Sequence, residues 1–166
     1  MTISRSSVRY KSLVPAGVML GLGMGGFFDG IVFHQILQWH HMLTSAGYPA
    51  TDVANLKINT LWDGLFHAAT YIFTIAGLFL LWNSLQGTNS HWPVRVLIGA
   101  VLMGWGIFNL IEGLVNHQLL GIHHVRDDLV SASAKVIWDL GFLIWGAIML
   151  IIGWTIHRSK QEVRNG

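Results

Sequence analysis

Four long apolar segments make up most of this chain and limit what it can fold into. They cover approximately residues 13–43, 56–82, 93–122 and 132–156. A helix needs about 20 mainly apolar residues to cross a hydrocarbon core about 30 Å thick, and each segment is long enough. The chain is 52% hydrophobic and only 11% charged, which is too apolar for an ordinary soluble protein. The sequence therefore predicts an all-α, polytopic membrane protein, with a single integral membrane domain over residues 1–166.

The first and third segments carry the same polar motif. Residues 28–42 read FDGIVFHQILQWHHM and residues 111–125 read IEGLVNHQLLGIHHV. An offset of 83 residues aligns Asp29 with Glu112 and His34 with His117, and an offset of 76 aligns Asp63 with Asp139. The pattern predicts a four-helix bundle made of two helical hairpins, about 13–86 and 93–158, related as parallel repeats.

Basic residues predict the orientation in the membrane, because Lys and Arg concentrate in short cytoplasmic segments. They lie before the first segment, between the second and third, and after the fourth: Arg5, Arg9, Lys11, Arg95, Arg158, Lys160 and Arg164. Both termini should therefore be cytoplasmic, and the His-rich ends of the first and third segments should face outward. His91 and His157 would then be surface groups on the cytoplasmic side.

Ionisable residues inside a membrane are costly and usually mark function. The chain has no cysteine, so thiolate sites are excluded and imidazole and carboxylate remain as the strong metal ligands. The candidate ligands are His34, His40, His41, Asp63, His67, His117, His123, His124 and Asp139. This ligand set favours a transition metal, with iron or copper ahead of zinc.

Helical geometry separates these candidates by depth. Residues five positions apart on an α-helix, such as Asp29 and His34, point about 140° apart. The residues expected at one level, roughly 10 to 14 Å below the outer rim, are His34, Asp63, His117 and Asp139, with His67 one turn deeper. We expect these five to form an inner site. Asp29 and Glu112 fall deeper, where they would orient ligands or relay protons, and the His40-His41 and His123-His124 pairs would crowd the outer mouth.

Three stretches resemble the DUF2243 family of predicted bacterial membrane proteins. They are GGFFDGIVFHQILQWHHM, LWDGLFHA and IEGLVNHQLLGIHHV, and the resemblance covers nearly the whole chain. It implies a four-helix protein of the bacterial inner membrane. It implies no activity and no catalytic residues, so the metal hypothesis depends on residue types, spacing and depth.

Several functions remain open at this point. The first is a redox or oxygen-linked metalloenzyme with a mononuclear or dinuclear non-haem site and a small or lipophilic substrate. The second is a non-enzymatic copper or metal carrier, or an oxidase-assembly factor, loaded through the His pairs. The third is a cytochrome with haem between His34 and His117. Against all three, the polar groups could simply be hydrogen-bonded between helices.

Partners are less constrained by the sequence. The lipid bilayer and a metal ion are expected, and the formal charge of +2 gives no indication of nucleic-acid binding. Glycines at 21, 23, 25 and 26 resemble the small-residue seams through which membrane helices pack, and such seams would permit a homodimer.

Overall fold

The computed structural model is all-helical and describes residues 5–86 and 94–165. Its four main helices are α1 (Arg5–Phe28), α2 (Val53–Leu85), α3 (Val94–Glu112) and α4 (Ala132–Asn165). The segments long and apolar enough to cross a membrane are Leu13–Ile36, Val53–Leu85, Val94–Leu119 and Ala132–Arg158. The predicted all-α fold with four membrane-length helices is therefore confirmed. His91 lies outside the described residues, as do the side chains of Arg5, Arg9, Lys11, Lys160 and Arg164.

The helices lie side by side in a row. α1 and α3 pack against each other in the centre, α2 packs on α1, and α4 packs on α3. Within the described ranges, α2 and α4 make no contact with each other. The polar ends of α1 and α3 are therefore adjacent. Side chains of α2 reach these ends from the side of α1, and side chains of α4 reach them from the side of α3.

Glycines allow the close contact between the two central helices. A Cβ atom added at Gly21 would collide with the backbone carbonyl of Val101, and one added at Gly104 would collide with that of Val18. Small residues let membrane helices approach in this way, because lipid supplies little hydrophobic drive for helix association. This contact sets α1 and α3 close enough for residues from both motifs to meet.

Both central helices change their geometry before they end. α1 continues as a π-helical segment, Asp29–Ile36, and α3 continues as Gly113–Leu119. The last turns are closed by Leu37 N–H donating to Val32 O at 2.8 Å and by Leu120 N–H donating to Val115 O at 2.8 Å. A π-helix bonds residues five apart and occurs often at functional sites. Residues separated by five therefore share a face here, which an α-helix would not allow.

The chain reverses directly after each π-helical segment. Gln38 and Gly121 have φ angles of 50° and 58°, in the left-handed region. The prediction that the first and third helices run on to residues 43 and 122 is therefore wrong, because the left-handed residues turn the chain back. His40, His41, His123 and His124 follow these turns and point back towards the protein.

Candidate metal centre

Four buried histidines lie together where α1 and α3 end. They are His34, His40, His117 and His123, each no more than 2% exposed. Their rings form a continuous series, with centroids 4.4 Å apart from His34 to His40, 4.7 Å from His40 to His123, and 4.9 Å from His123 to His117. The middle two rings are stacked, 5° from parallel. We call these four residues the imidazole cluster.

Backbone carbonyls fix the two middle rings. The Nδ1–H of His40 donates to Val125 O at 2.9 Å, and the Nδ1–H of His123 donates to Met42 O at 3.2 Å. A carbonyl can only accept, so Nδ1 carries the proton and Nε2 is left as a lone-pair donor when the ring is neutral. Burial, reinforced by the neighbouring His123, lowers the pKa of His40 well below its ordinary value. His40 is therefore neutral and presents its Nε2 lone pair.

Two buried aspartates hold the outer rings and the backbone around them. Asp63 Oδ1 accepts from His34 Nδ1 at 2.8 Å and from the Met42 N–H at 3.0 Å, while its Oδ2 accepts from His41 Nδ1 at 2.7 Å. Metal-binding histidines commonly donate their other ring N–H to a carboxylate in this way, which fixes the ring and its tautomer. Asp63 thus orients imidazoles; its own oxygens are already occupied.

Asp139 makes the corresponding contacts in the second half. It accepts from His124 Nδ1 at 2.7 Å and from the Val125 N–H at 2.9 Å, and it lies 3.5 Å from His117 Nδ1. Gln35 and Gln118 each donate to the matching aspartate at 3.4 Å. These glutamines were absent from the candidate residues, although the repeat alignment pairs them at the same offset of 83.

The remaining carboxylates, Asp29 and Glu112, lie on the other side of the rings. Asp29 Oδ2 is 3.2 Å from His34 Nε2, and Glu112 Oε1 is 3.0 Å from His123 Nε2 and 4.0 Å from His117 Nε2. The π-helical geometry explains the first contact, because it brings residues five apart onto one face. Asp29 and Glu112 were expected at a separate, deeper level, but the structure places them against the imidazole cluster.

Several of these buried atoms lack a hydrogen-bond partner within the described part of the chain. They are both carboxylate oxygens of Asp29, the Nε2 atoms of His34 and His40, and both ring nitrogens of His117. Buried polar atoms are nearly always satisfied, and an unsatisfied group calls for an explanation such as an ion. Two of these atoms, Asp29 Oδ2 and His34 Nε2, lie 3.2 Å apart, so a cation bound to both would satisfy both.

Two sets of ligand atoms lie close enough together that each set could hold a metal ion. One comprises His34, His40 and His123, and the other comprises Glu112, His117 and His123; within each set, all ligand atoms lie within 4.8 Å of one another. The expectation that His40 and His123 line the outer mouth is wrong, because the turns at Gln38 and Gly121 carry both rings into the interior. Gly121 was the available signal for such a turn.

His41, His124 and His67 lie outside the imidazole cluster. The side chains of His41 and His124 are 10% and 27% exposed and bind Asp63 and Asp139 rather than the cluster. His67 Nδ1–H donates to the Asp63 backbone carbonyl of its own helix at 2.9 Å, and its ring stacks on Phe27. Of the five residues expected to share an inner site, His67 is the one that the structure leaves apart.

Aromatic rings close the flanks of the cluster. Phe66 stacks on His34, 5.6 Å between centroids and 9° from parallel, and Phe142 lies 5.4 Å from the His117 ring. Phe66 and Phe142 correspond at the offset of 76 that relates Asp63 to Asp139. Apolar walls keep the local dielectric low, which strengthens electrostatic attraction to a bound cation.

The chain matches the family model described as DUF2243, predicted membrane protein, over residues 16–160. Comparison with curated proteins and with solved structures gives no match.

Proposed function

The chain belongs to the DUF2243 family of predicted membrane proteins, and from the geometry of its imidazole cluster we propose that it is an integral membrane metalloprotein with a transition metal bound there. Nitrogen and carboxylate oxygen together suit iron, copper or zinc. The ligands would be the four cluster histidines through Nε2, with Asp29 and Glu112 through their oxygens.

One observation carries the proposal: two histidine Nε2 atoms lie against carboxylate oxygens in a buried space. His34 Nε2 lies 3.2 Å from Asp29 Oδ2, and His123 Nε2 lies 3.0 Å from Glu112 Oε1. In the neutral ring whose Nδ1 carries the proton, each Nε2 is an acceptor that faces another acceptor. Two acceptors at that distance repel each other unless a proton or a metal cation lies between them. Protonating both of these rings would place two imidazolium charges with ring centroids 5.9 Å apart and little solvent screening. A metal ion instead satisfies several lone pairs at once.

The arrangement favours a resident metal over a carried one. The four cluster rings are almost fully buried, and the Nδ1 atoms of His34, His40 and His123 face fixed acceptors, so release would require the loops after α1 and α3 to open. A carrier would be expected to present ligands at its surface. We therefore place redox or oxygen-linked chemistry ahead of metal delivery, and a chelator should remove the metal only slowly.

Haem fits this space less well than a bare ion. The rings of His40 and His123 lie between His34 and His117 and occupy the region that a porphyrin would need. A purified sample without a Soret band, but with stoichiometric iron, copper or zinc, is the expected result.

Metal content in matched variants tests the proposal. The full chain is purified in detergent and its metals are measured by elemental analysis, together with the His40→Ala, His123→Ala and His67→Ala variants. We expect wild type and His67→Ala to retain metal, because the His67 ring nitrogen bonds to its own helix. His40→Ala and His123→Ala should lose most of it while remaining monodisperse.

A metal-free wild type, or equal metal content in His40→Ala, His123→Ala and wild type, would overturn the proposal. If His67→Ala alone lost the metal, the ligand set would be wrong.

We also propose that the cluster lies at the extracytoplasmic side of the membrane with both termini in the cytoplasm. The support is the distribution of Lys and Arg along the sequence, with Arg95 and Arg158 at the opposite ends of the helices from the cluster.

A further inference from the structure

The imidazole cluster contains more ligands than a single ion can use at these positions. Two ligands of one ion with bonds of about 2.1 Å can be at most about 4.2 Å apart. The ligand atoms fall into two sets, and neither set contains both His34 and His117. His123 belongs to both sets and so lies where they meet.

Each half of the chain also offers one carboxylate to the cluster. Ligands at right angles on one ion are about 3.0 Å apart when metal bonds are about 2.1 Å long. Asp29 Oδ2 lies 3.2 Å from His34 Nε2, and Glu112 Oε1 lies 3.0 Å from His123 Nε2. Both pairs therefore have the spacing of neighbouring ligands, one in each half of the ring series.

Charge balance favours a second ion when the imidazoles are neutral. Asp29, Asp63, Glu112 and Asp139 are each at most 6% exposed. Every ion-pair partner of these four carboxylates in the described ranges is a histidine. With neutral imidazoles, four negative charges face the cluster region, and one divalent ion offsets only half of them. Uncompensated charge at membrane depth is costly, whereas two divalent ions neutralise the set.

We infer that the cluster binds two adjacent divalent metal ions, one held by Asp29, His34 and His40 and the other by Glu112, His117 and His123. Each ion then has two histidines and one carboxylate, which is the ligand combination of non-haem iron sites with open positions. This inference rests on the proposed metal-binding function and extends it to nuclearity and ligand assignment.

Cobalt stoichiometry tests the inference. Metal-depleted full-length protein is titrated with Co²⁺, desalted, and analysed for cobalt per chain. We expect two Co²⁺ per wild-type chain and one per chain in Asp29→Asn and in Glu112→Gln, because each substitution removes the carboxylate of one ion. Adjacent ions should also couple magnetically, so the EPR signal per cobalt should be weaker in wild type than in either variant.

Asp52→Asn is the matched control and should keep two Co²⁺. Asp52 is exposed and caps α2 by accepting from the Asn55 N–H at 2.9 Å, a role that Asn also fills well.

Each other outcome of the cobalt titration overturns a different claim. One Co²⁺ in wild type that both carboxylate variants lose would overturn the two-ion inference and leave the metal-binding proposal standing. No bound Co²⁺ in wild type, with no native metal either, would overturn both. Two Co²⁺ in all variants would overturn the ligand assignment. If a variant aggregates, Asp29→Glu replaces Asp29→Asn, and wild-type stoichiometry still decides the number of ions.

Discussion

At the residue scale, carboxylates that look alike in sequence have two different surroundings. Asp63 and Asp139 accept hydrogen bonds from histidine Nδ1 atoms and from backbone N–H groups. Asp29 and Glu112 instead face Nε2 atoms. The sequence predicted that Asp63 and Asp139 would lie level with His34 and His117, and that Asp29 and Glu112 would lie deeper. It could not predict which ring nitrogen each would face, because that depends on ring orientation set by contacts distant in sequence.

Asp63→Asn should weaken metal binding without removing any ligand. The amide cannot accept from both His34 and His41 as the carboxylate does, so the His34 ring loses its orientation and some basicity. Changes to such supporting carboxylates typically cost about 10- to 100-fold in metal affinity. Competition with a chromogenic chelator measures the loss, and Asp52→Asn serves as the control. Unchanged affinity in Asp63→Asn would contradict the assigned role of Asp63.

At the element scale, the π-helical segments and the turns after them build the site. Apolar periodicity located the helices, since lipid leaves a spanning segment little alternative to a helix. It did not distinguish an α-helix from a π-helix, which differ by one residue in hydrogen-bond register. The change from α-helix to π-helix matters because it places Asp29 and His34 on one face. The turns that follow then carry His40 and His123 into the interior.

The turns at Gln38 and Gly121 differ in strain and can be compared directly. Both residues have positive φ, but only glycine adopts that conformation without a Cβ penalty. We expect Gln38→Gly to raise the unfolding free energy by about 1 kcal/mol, and Gly121→Ala to lower it by a similar amount. Thermal unfolding of the metal-depleted chain in detergent measures both changes.

Gln38→Ala separates the backbone effect from loss of the exposed side chain. It keeps a Cβ at the left-handed position, so it should not reproduce the gain of Gln38→Gly. Equal stabilisation by both substitutions would argue against strain at this turn.

At the scale of the whole molecule, the loops after the two central helices hold each other in place. Ser45 N–H donates to Ile122 O at 2.9 Å, and Asp128 N–H donates to Trp39 O at 3.2 Å. His40 and His123 likewise bond to carbonyls of the opposite loop. These contacts pair at the offset of 83 that aligns the two motifs. Each half of the chain therefore supplies a backbone carbonyl that fixes a histidine ring of the other half.

Single-cysteine labelling checks the proposed orientation. The natural chain has no cysteine, so Thr51→Cys and Gln86→Cys each introduce a unique thiol at an exposed position. A membrane-impermeant maleimide applied to intact cells should label Thr51→Cys, which lies on the side of the cluster, and should spare Gln86→Cys until the cells are lysed. The reverse labelling pattern would show that the protein has the opposite orientation in the membrane.

The sequence by itself determined the all-α membrane fold and identified the ionisable residues that lie within its apolar segments. It could do so because membrane crossing requires long apolar helices, and because ionisable groups at that depth are too costly to be incidental. The tertiary structure decided which histidines form the centre. His40 and His123 are interior because a left-handed turn and two carbonyls from the opposite loop place them there, whereas His67 is satisfied by its own helix. Those outcomes depend on contacts between residues some 80 positions apart, which local periodicity cannot encode.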